Sequence, residues 1–474
     1  MRFTKIVCTL GPSTLAPDRV RALVQAGMNV ARINLSHGSI EQHLTTIRML
    51  KDINKELKKG NEPPTSVGIL LDTKGAEIRT GDVSEKLVIS KNEEVVFSFR
   101  PLPEEKRKVI TVNHDQFDKD VVDAESILID NGILKFTYVK TNPDGSVLAR
   151  ACEDGSVGSR RHVNLPGANL SMPSITPKDW EDIAMAAKEG VDFLALSFVR
   201  EAKEVYEVRE FLESHDTHIG LISKIETRQA IRNIKEIIAA SDGIMMARGD
   251  LGVEVPFETV PAIQDDIVEE TRRAGKPVIV ATHMLESMID APMPTRAEVT
   301  DIAHAASTRT DATMLSGETA SGEFPLESVD AMDRVLKATE EHLFQNFTLA
   351  EAPELNEREA RAHAAATLAV STHASALFVM TKSGATARDI SRFRPNVPII
   401  AFTEQETTQR ALQLSYGVLP VLIMFSEDPE ETVRVAMDEA ERLGLLQPGD
   451  HVVLVSDTKA GDTSVNTIQM RQIS

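Results

Sequence analysis

The sequence predicts an α/β protein: a (β/α)8 TIM barrel with a small β-barrel lid domain inserted into it and a C-terminal α/β domain after it. Three observations carry this expectation. Eight short apolar runs alternate with helix-patterned stretches. The alternation breaks once, over residues 74–168, where short β-like runs are chopped by Gly, Pro, Asn and Asp. A second series of strand and helix patterns then begins near residue 344. The expected units are 1–73 (first part of the barrel), 74–168 (lid), 169–343 (rest of the barrel) and 344–474 (C-terminal domain).

In order, apolar runs at 5–10, 29–35 and 67–71 are separated by helical patterns at 18–26 and 40–58. Runs at 193–197, 220–224, 243–247, 278–282 and 313–316 follow the interruption, each with a helical stretch behind it. Unbroken apolar runs suit parallel strands buried on both faces, and three before the break plus five after it make the eight that close a barrel. Within the insertion, strands are expected at 86–90, 94–99, 127–129, 133–137 and 147–151. A β-domain leaving after the third strand emerges at the barrel's C-terminal rim, over any site there. Asn164-Leu165-Pro166-Gly167 at its return suits a hinge, or simply a turn. Beyond an acidic, proline-containing join at 350–356, a helix is expected at 357–372 and strands at 376–381, 397–402, 418–423 and 452–456, with an edge strand at 466–472.

Composition narrows the function. The chain has 474 residues, 42% of them apolar and 26% charged, enough for sizeable cores. A formal charge of −20 argues against nucleic acid or an anionic membrane as partner, because tracking phosphates needs clustered Lys and Arg. Cys8 and Cys152 are the two cysteines and cannot form a disulfide framework. No run approaches the ~18 apolar residues of a membrane span, and a cytoplasmic location is expected.

The chemistry is expected at the strand C-termini. Glu226 and Asp250 fall just past the ends of two neighbouring strands, where two carboxylates could hold Mg²⁺ or Mn²⁺ and leave positions for substrate oxygens. Lys224 ends the first of these strands, and Gly249 would let backbone N–H groups approach a ligand. The same residues also suit surface carboxylates with a salt-bridged lysine. Arg32, Asn34 and Ser36 alternate onto one side of the second strand's end, and Arg32 could bind phosphate. Asp72 and Thr73 end the third, with Arg79 as a second guanidinium. Asn34, Ser36, Asp72 and Thr73 offer oxygens with one formal charge, a set that favours a monovalent cation, although each alone also suits a turn or cap. Thr282 could donate to a bound carboxylate or enolate; His283 is assigned no catalytic role.

In order along the chain, TKIV with Gly11-Pro12, ARINLSHG, LDTKGAEIRTG, VNLPG, ISKIE, MARGDLGVE, ATHMLESM, TRAE and MLSGETA closely resemble the pyruvate kinase family. The resemblance implies phosphoryl transfer from phosphoenolpyruvate to ADP, giving ATP, and protonation of the resulting enolate to pyruvate, the last step of glycolysis. By motif, Glu226 and Asp250 resemble that family's divalent-metal ligands, and Asn34, Ser36, Asp72 and Thr73 its K⁺ ligands. Arg32 is similar to the arginine that meets the transferring group, Lys224 to the lysine that stabilises it and the enolate, and Thr282 to the residue by the protonated face. Gly249 with Asp250 resembles the backbone that holds the substrate carboxylate. Arg32, His37, Arg79 and Arg161 are the nucleotide-binding candidates. Glu77 implies dependence on K⁺, since relatives with Lys there supply the charge themselves.

There are departures from the family pattern. Arg160-Arg161-His162 stands where most relatives have Lys-Lys-Gly, so the lid's contact with ADP is expected to differ. His283 replaces a usual Gln, and Ala76 a usual Pro. In the C-terminal domain, Thr381, Ser383, Gly384 and Thr386 follow a strand and open a helix, where they could cradle a phosphorylated allosteric effector, or form an ordinary capped turn. The tail 459–464 carries little positive charge for such an effector. The resemblance further implies a homotetramer. Two other readings are another Mg²⁺-enolate barrel, such as a phosphoenolpyruvate mutase or acyl lyase, and a catalytically silent effector-binding protein. The first leaves the ADP lid and potassium set unexplained, and the intact Lys224, Glu226, Asp250 and Thr282 weigh against the second.

Overall fold

Eight parallel strands close into a barrel in this computed structural model: β1 Lys5–Leu10, β2 Val30–Asn34, β3 Gly68–Asp72, β4 Phe193–Leu196, β5 Gly220–Ile225, β6 Gly243–Ala247, β7 Val278–Ala281 and β8 Ala312–Leu315. The structure describes all residues except 61–62, 64–65, 131, 346, 350–354, 461–462 and 474, and leaves undescribed the side chains of 457–460 and 463–465. The expected join at 350–356 and tail loop at 459–464 therefore lie largely outside the described residues. Each barrel strand pairs with its sequence neighbours, and β1 closes on β8 through Lys5↔Ala312. Nearly every residue of these strands is buried, which is why they read as unbroken apolar runs.

Several barrel helices start at reciprocal caps. Ser39 and Gln42 cap Ile40–Leu57, and Thr176 and Asp179 cap Pro177–Glu189, each satisfying donors that the first turn leaves open. The helical stretch expected behind the 220–224 run is two helices, Arg228–Arg232 and Ile234–Ala240. They part at Asn233, whose side-chain amide donates to Arg200 O at 2.9 Å instead of facing solvent.

The insertion leaves after β3 and returns before β4. Its main sheet has seven strands, running from Ile78–Arg79 at one edge to Val109–Thr111 at the other, with Leu134–Thr141 and Val147–Ala151 at its centre. A bridge between Thr80 and Val112 joins the two edges and curls the sheet onto its own core around Phe97, Phe117 and Phe136. Arg228 of the barrel pairs with Glu125 of the insertion, and Glu125 N donates to Pro166 O at the return.

The C-terminal domain is a five-stranded sheet whose first four strands are parallel, with Thr463–Gln472 antiparallel at one edge. It closes the barrel floor. Leu414 packs, fully buried, into the barrel interior beside Val7, Ile222, Met245, Ile279 and Met314. Around it, Arg394 Nη2 donates to Asp311 Oδ2 at 2.5 Å, Arg410 Nε to Asp192 Oδ1 at 2.9 Å, and Lys5 Nζ to Val418 O at 2.5 Å. Gly417, at φ +66°, lies so close to Phe3 that a Cβ would come within 2.7 Å of its ring.

Candidate active site

The rim residues follow the strand order around the barrel: Arg32 on β2, Asp72 on β3, Lys224 and Glu226 at β5, and Asp250 just past β6. Parallel register lines up these strand ends, with Asn34 beside Asp72 and Lys224 beside Met245. Side chains two residues apart on one strand then share a face, so neighbouring strands bring unlike charges together.

Asp72 is fully buried and stands between two cations. Its Oδ2 accepts from Arg32 Nε at 2.7 Å and its Oδ1 lies 3.2 Å from Lys224 Nζ. Burial pushes its carboxyl up, but Arg32 and Lys224 outweigh it, and the group is held below the usual carboxylate range. Arg32 Nη1 also donates to Thr9 Oγ1 at 2.8 Å. Lys224 lies 3.0 Å from Glu226 Oε1. Burial opposes its charge; Asp72 and Glu226 more than compensate, raising the lysine above its ordinary value and keeping it an ammonium.

Glu226 is 1% exposed. Its Oε2 accepts from Phe198 N at 2.7 Å, while Oε1, though close to Lys224, has no hydrogen bond. Burial raises its carboxyl to about 7, with Asp250 adding and Lys224 opposing. A buried carboxylate oxygen without a hydrogen bond, next to the half-buried Asp250, suits a hard divalent cation. Among the described residues no group of three His, Cys, Asp or Glu gathers to hold a metal, so these two would supply only part of a coordination shell.

Other expected site residues surround this core. Thr73 is buried; its Oγ1 accepts from Ser197 N at 3.1 Å. Asn34 Oδ1 accepts from Ser36 N at 3.1 Å. Gly249 N donates to Thr282 Oγ1 at 2.8 Å, and that hydroxyl donates to Ala281 O at 2.6 Å. A Cβ on Gly249 would meet only ordinary contacts, 3.5 Å from His283 and 3.6 Å from Thr282, so protein packing alone does not demand glycine there. Thr282 and His283 both hold left-handed backbone conformations, at φ 68° and 56°.

The nucleotide candidates are more scattered. Arg79 lies on the edge strand Ile78–Arg79 of the insertion and Arg161 just before its partner strand His162–Asn164; Arg79 bonds Glu77 and Arg160 O, and Arg161 reaches Asp130 at 3.5 Å. His37 is exposed after β2. His162, the first residue of that partner strand, brings Nδ1 to 3.9 Å from Asp250. In the C-terminal domain, Gly384 N donates to Thr381 Oγ1 at 3.0 Å, and Thr381, Ser383 and Thr386 line a cavity of about 740 Å³ with Lys382.

Two contributors are given no role from the sequence. Arg248 clamps the turn after β7, donating to Thr282 O and Asp301 at 2.7 Å each. Ser197, just past β4, accepts from Lys224 Nζ at 2.8 Å.

A closed parallel barrel with a buried run of alternating cations and carboxylates along one part of its C-terminal rim has the architecture of a barrel enzyme whose site faces an oxygen-rich anion. The family model for the pyruvate kinase barrel domain matches residues 1–329, and that for the pyruvate kinase alpha/beta domain matches 359–470. The pyruvate kinase of Geobacillus stearothermophilus is 38% identical over 480 residues, spanning 100% of this chain and 81% of that protein. That of Sporosarcina psychrophila is 39% identical, over 99% of the chain and 80% of its own length. Plastidial pyruvate kinase 3, chloroplastic, of Arabidopsis thaliana is 40% identical, over 100% and 82%. This chain belongs to the pyruvate kinase family.

Proposed function

We propose that the chain transfers the phosphoryl group of phosphoenolpyruvate to ADP, giving ATP and pyruvate as the last step of glycolysis. One observation carries the reading: Arg32 and Lys224 are held as buried cations on either side of Asp72, at the rim where the transferring group would sit. Phosphoryl transfer asks little covalent chemistry of the protein, chiefly alignment and positive charge around the equatorial oxygens. Arg32 and Lys224 would provide that charge from largely buried positions, where it acts more strongly than in water. After transfer, Lys224 stays close to the developing enolate oxygen and opposes its charge. Thr282, whose hydroxyl bridges Ala281 O and Gly249 N, would order a proton donor at the enolate carbon. Gly249 and Asp250 orient the substrate carboxylate.

Glu226 and Asp250 would hold Mg²⁺ or Mn²⁺, and Asn34, Ser36, Asp72 and Thr73 would hold K⁺; the ions supply further positive charge to bound phosphate and carboxylate oxygens. Arg32, His37, Arg79 and Arg161 would contact the nucleotide, with the insertion as lid and Asn164 to Gly167 as its hinge. The cavity at Thr381, Ser383, Gly384 and Thr386 would take a phosphorylated effector, making the enzyme allosteric. A homotetramer in the cytoplasm completes the reading. Among the described residues no helix is long and apolar enough to cross a membrane.

Pyruvate formation from phosphoenolpyruvate and ADP with Mg²⁺ tests this, with and without K⁺, for the wild type and Lys224→Met. Turnover that needs K⁺ and collapses in the variant is expected. Turnover indifferent to K⁺ would discard the potassium set, and no turnover from folded protein would discard the reaction.

A further inference from the structure

Between Asp72 on β3 and Lys224 on β5 lies the end of β4, and Ser197 occupies it, 1% exposed. A serine hydroxyl has one proton to give and two lone pairs to offer. Here the nearest acceptor for the proton is Thr73 O at 2.7 Å; Asp72 Oδ1 is more distant at 3.4 Å. With the proton directed to Thr73 O, a lone pair is left for Lys224 Nζ at 2.8 Å. Asp72 and Glu226 pull the ammonium electrostatically, but a point charge between two carboxylates has no preferred seat along the line joining them. The neutral, directional acceptor gives it one.

The backbone here holds the rest of the site together. Ser197 N donates to Thr73 Oγ1 at 3.1 Å, and the next N–H, that of Phe198, donates to Glu226 Oε2 at 2.7 Å. Phe198 achieves this at φ 54°, a left-handed conformation that a bulky residue keeps only when its surroundings compel it. Gly75 packs against the serine so tightly that a Cβ there would lie 2.6 Å from Ser197 Cβ. The hydroxyl is thus boxed in, with its bonding directions set by packing.

We infer that Ser197 is a positioning residue for the reaction, seating the Lys224 ammonium and tying the Thr73 side of the rim to the Glu226 side. This rests on the phosphoenolpyruvate reading above. It adds a residue whose side chain acts through Lys224 and not on the substrate.

The test compares Ser197→Ala with the wild type and with Ser223→Ala, which deletes a buried hydroxyl paired with Ser241 Oγ at 2.6 Å on the face of β5 opposite Lys224. Losing a hydrogen bond to a charged group predicts that kcat falls roughly 10- to 100-fold in Ser197→Ala. The KM for phosphoenolpyruvate should stay within about 3-fold, since both cations remain to bind ground-state phosphate. Exchange of the pyruvate methyl protons with solvent, which depends on enolate stabilisation without ADP, should slow by a similar factor. Ser223→Ala should keep its kcat. Ser197→Cys, which keeps the shape with a slightly larger atom and a weaker acceptor, should fall between, and it replaces the alanine variant should that fail to fold.

Folded Ser197→Ala or Ser197→Cys enzyme turning over at the wild-type rate overturns the inference while leaving the reaction intact. A kcat loss matched in Ser223→Ala, or a loss confined to KM, overturns it too, by reducing Ser197 to packing or ground-state binding. Wild-type protein that makes no pyruvate overturns both the inference and the reading beneath it.

Discussion

Replacing Asp72 with Asn is the sharpest probe of the rim. The change is isosteric, so it opens no cavity, and it removes the negative charge that two buried cations share. Removing one partner from a buried ion pair costs about 3–5 kcal/mol. Arg32 keeps Thr9, at 2.8 Å, and Lys224 keeps Ser197 and Glu226, so the loss belongs at the lower end, about 3 kcal/mol. The assay is urea unfolding of wild type and Asp72→Asn across pH. The Asp72 carboxyl is held below its ordinary value, so its contribution is complete above the unfolded pKa and disappears as pH falls through the folded one. The gap between the proteins should therefore be constant at neutral pH and narrow only below about pH 4. In turnover, the half-activating K⁺ concentration should rise. A gap under about 1 kcal/mol at neutral pH would mean that the two cations do not depend on Asp72, and the argument for a buried charge ladder would fail.

Three further outcomes follow from the barrel floor. Burial lowers Lys5 to about 7, with Arg2 adding to the effect, so between about pH 7 and 10.5 the unfolded chain binds more protons than the folded one. Wild-type stability should gain up to about 1.4 kcal/mol per pH unit from this group across that window, and Lys5→Met should lack the increment in urea melts at the two ends. Arg394→Met leaves Asp311 buried with only the N–H groups of Tyr416 and Val278, at 3.0 and 3.1 Å; a loss of about 3 kcal/mol is expected by denaturant titration. Leu414→Ala should cost about 2–5 kcal/mol and, if the plug supports the barrel, lower the barrel's own unfolding midpoint as seen by Trp180 fluorescence.

The barrel was legible because its strands are buried on both faces and its helices carry recognisable caps; Ser39 with Gln42 is readable three residues apart. Asp72, Lys224 and Glu226 could be picked out because unusual charges end apolar runs. Ser197 could not. A serine after an apolar run is common, and its meaning comes from Lys224 and Thr73 on neighbouring strands that the linear text keeps far apart. The break at Asn233 and the short helix Arg248–Glu254 after β6 were hidden for a similar reason, since tertiary partners such as Arg200 O and Asp301 decide them. The contact of His162 with Asp250 depends on how the insertion leans over the rim, which local pattern does not specify.

Leu414 belongs by sequence to the last third of the chain but by packing to the barrel. A gene fragment ending near residue 343 would thus encode eight strands with an open floor: an apolar hole where Leu414 sits, and Asp192 and Asp311 stripped of their arginines. Such a fragment would expose a sticky, charged base and should aggregate or be degraded during synthesis. The barrel's base is thus completed only when the C-terminal strands have been made, so the two parts of the chain fold as one unit in this respect.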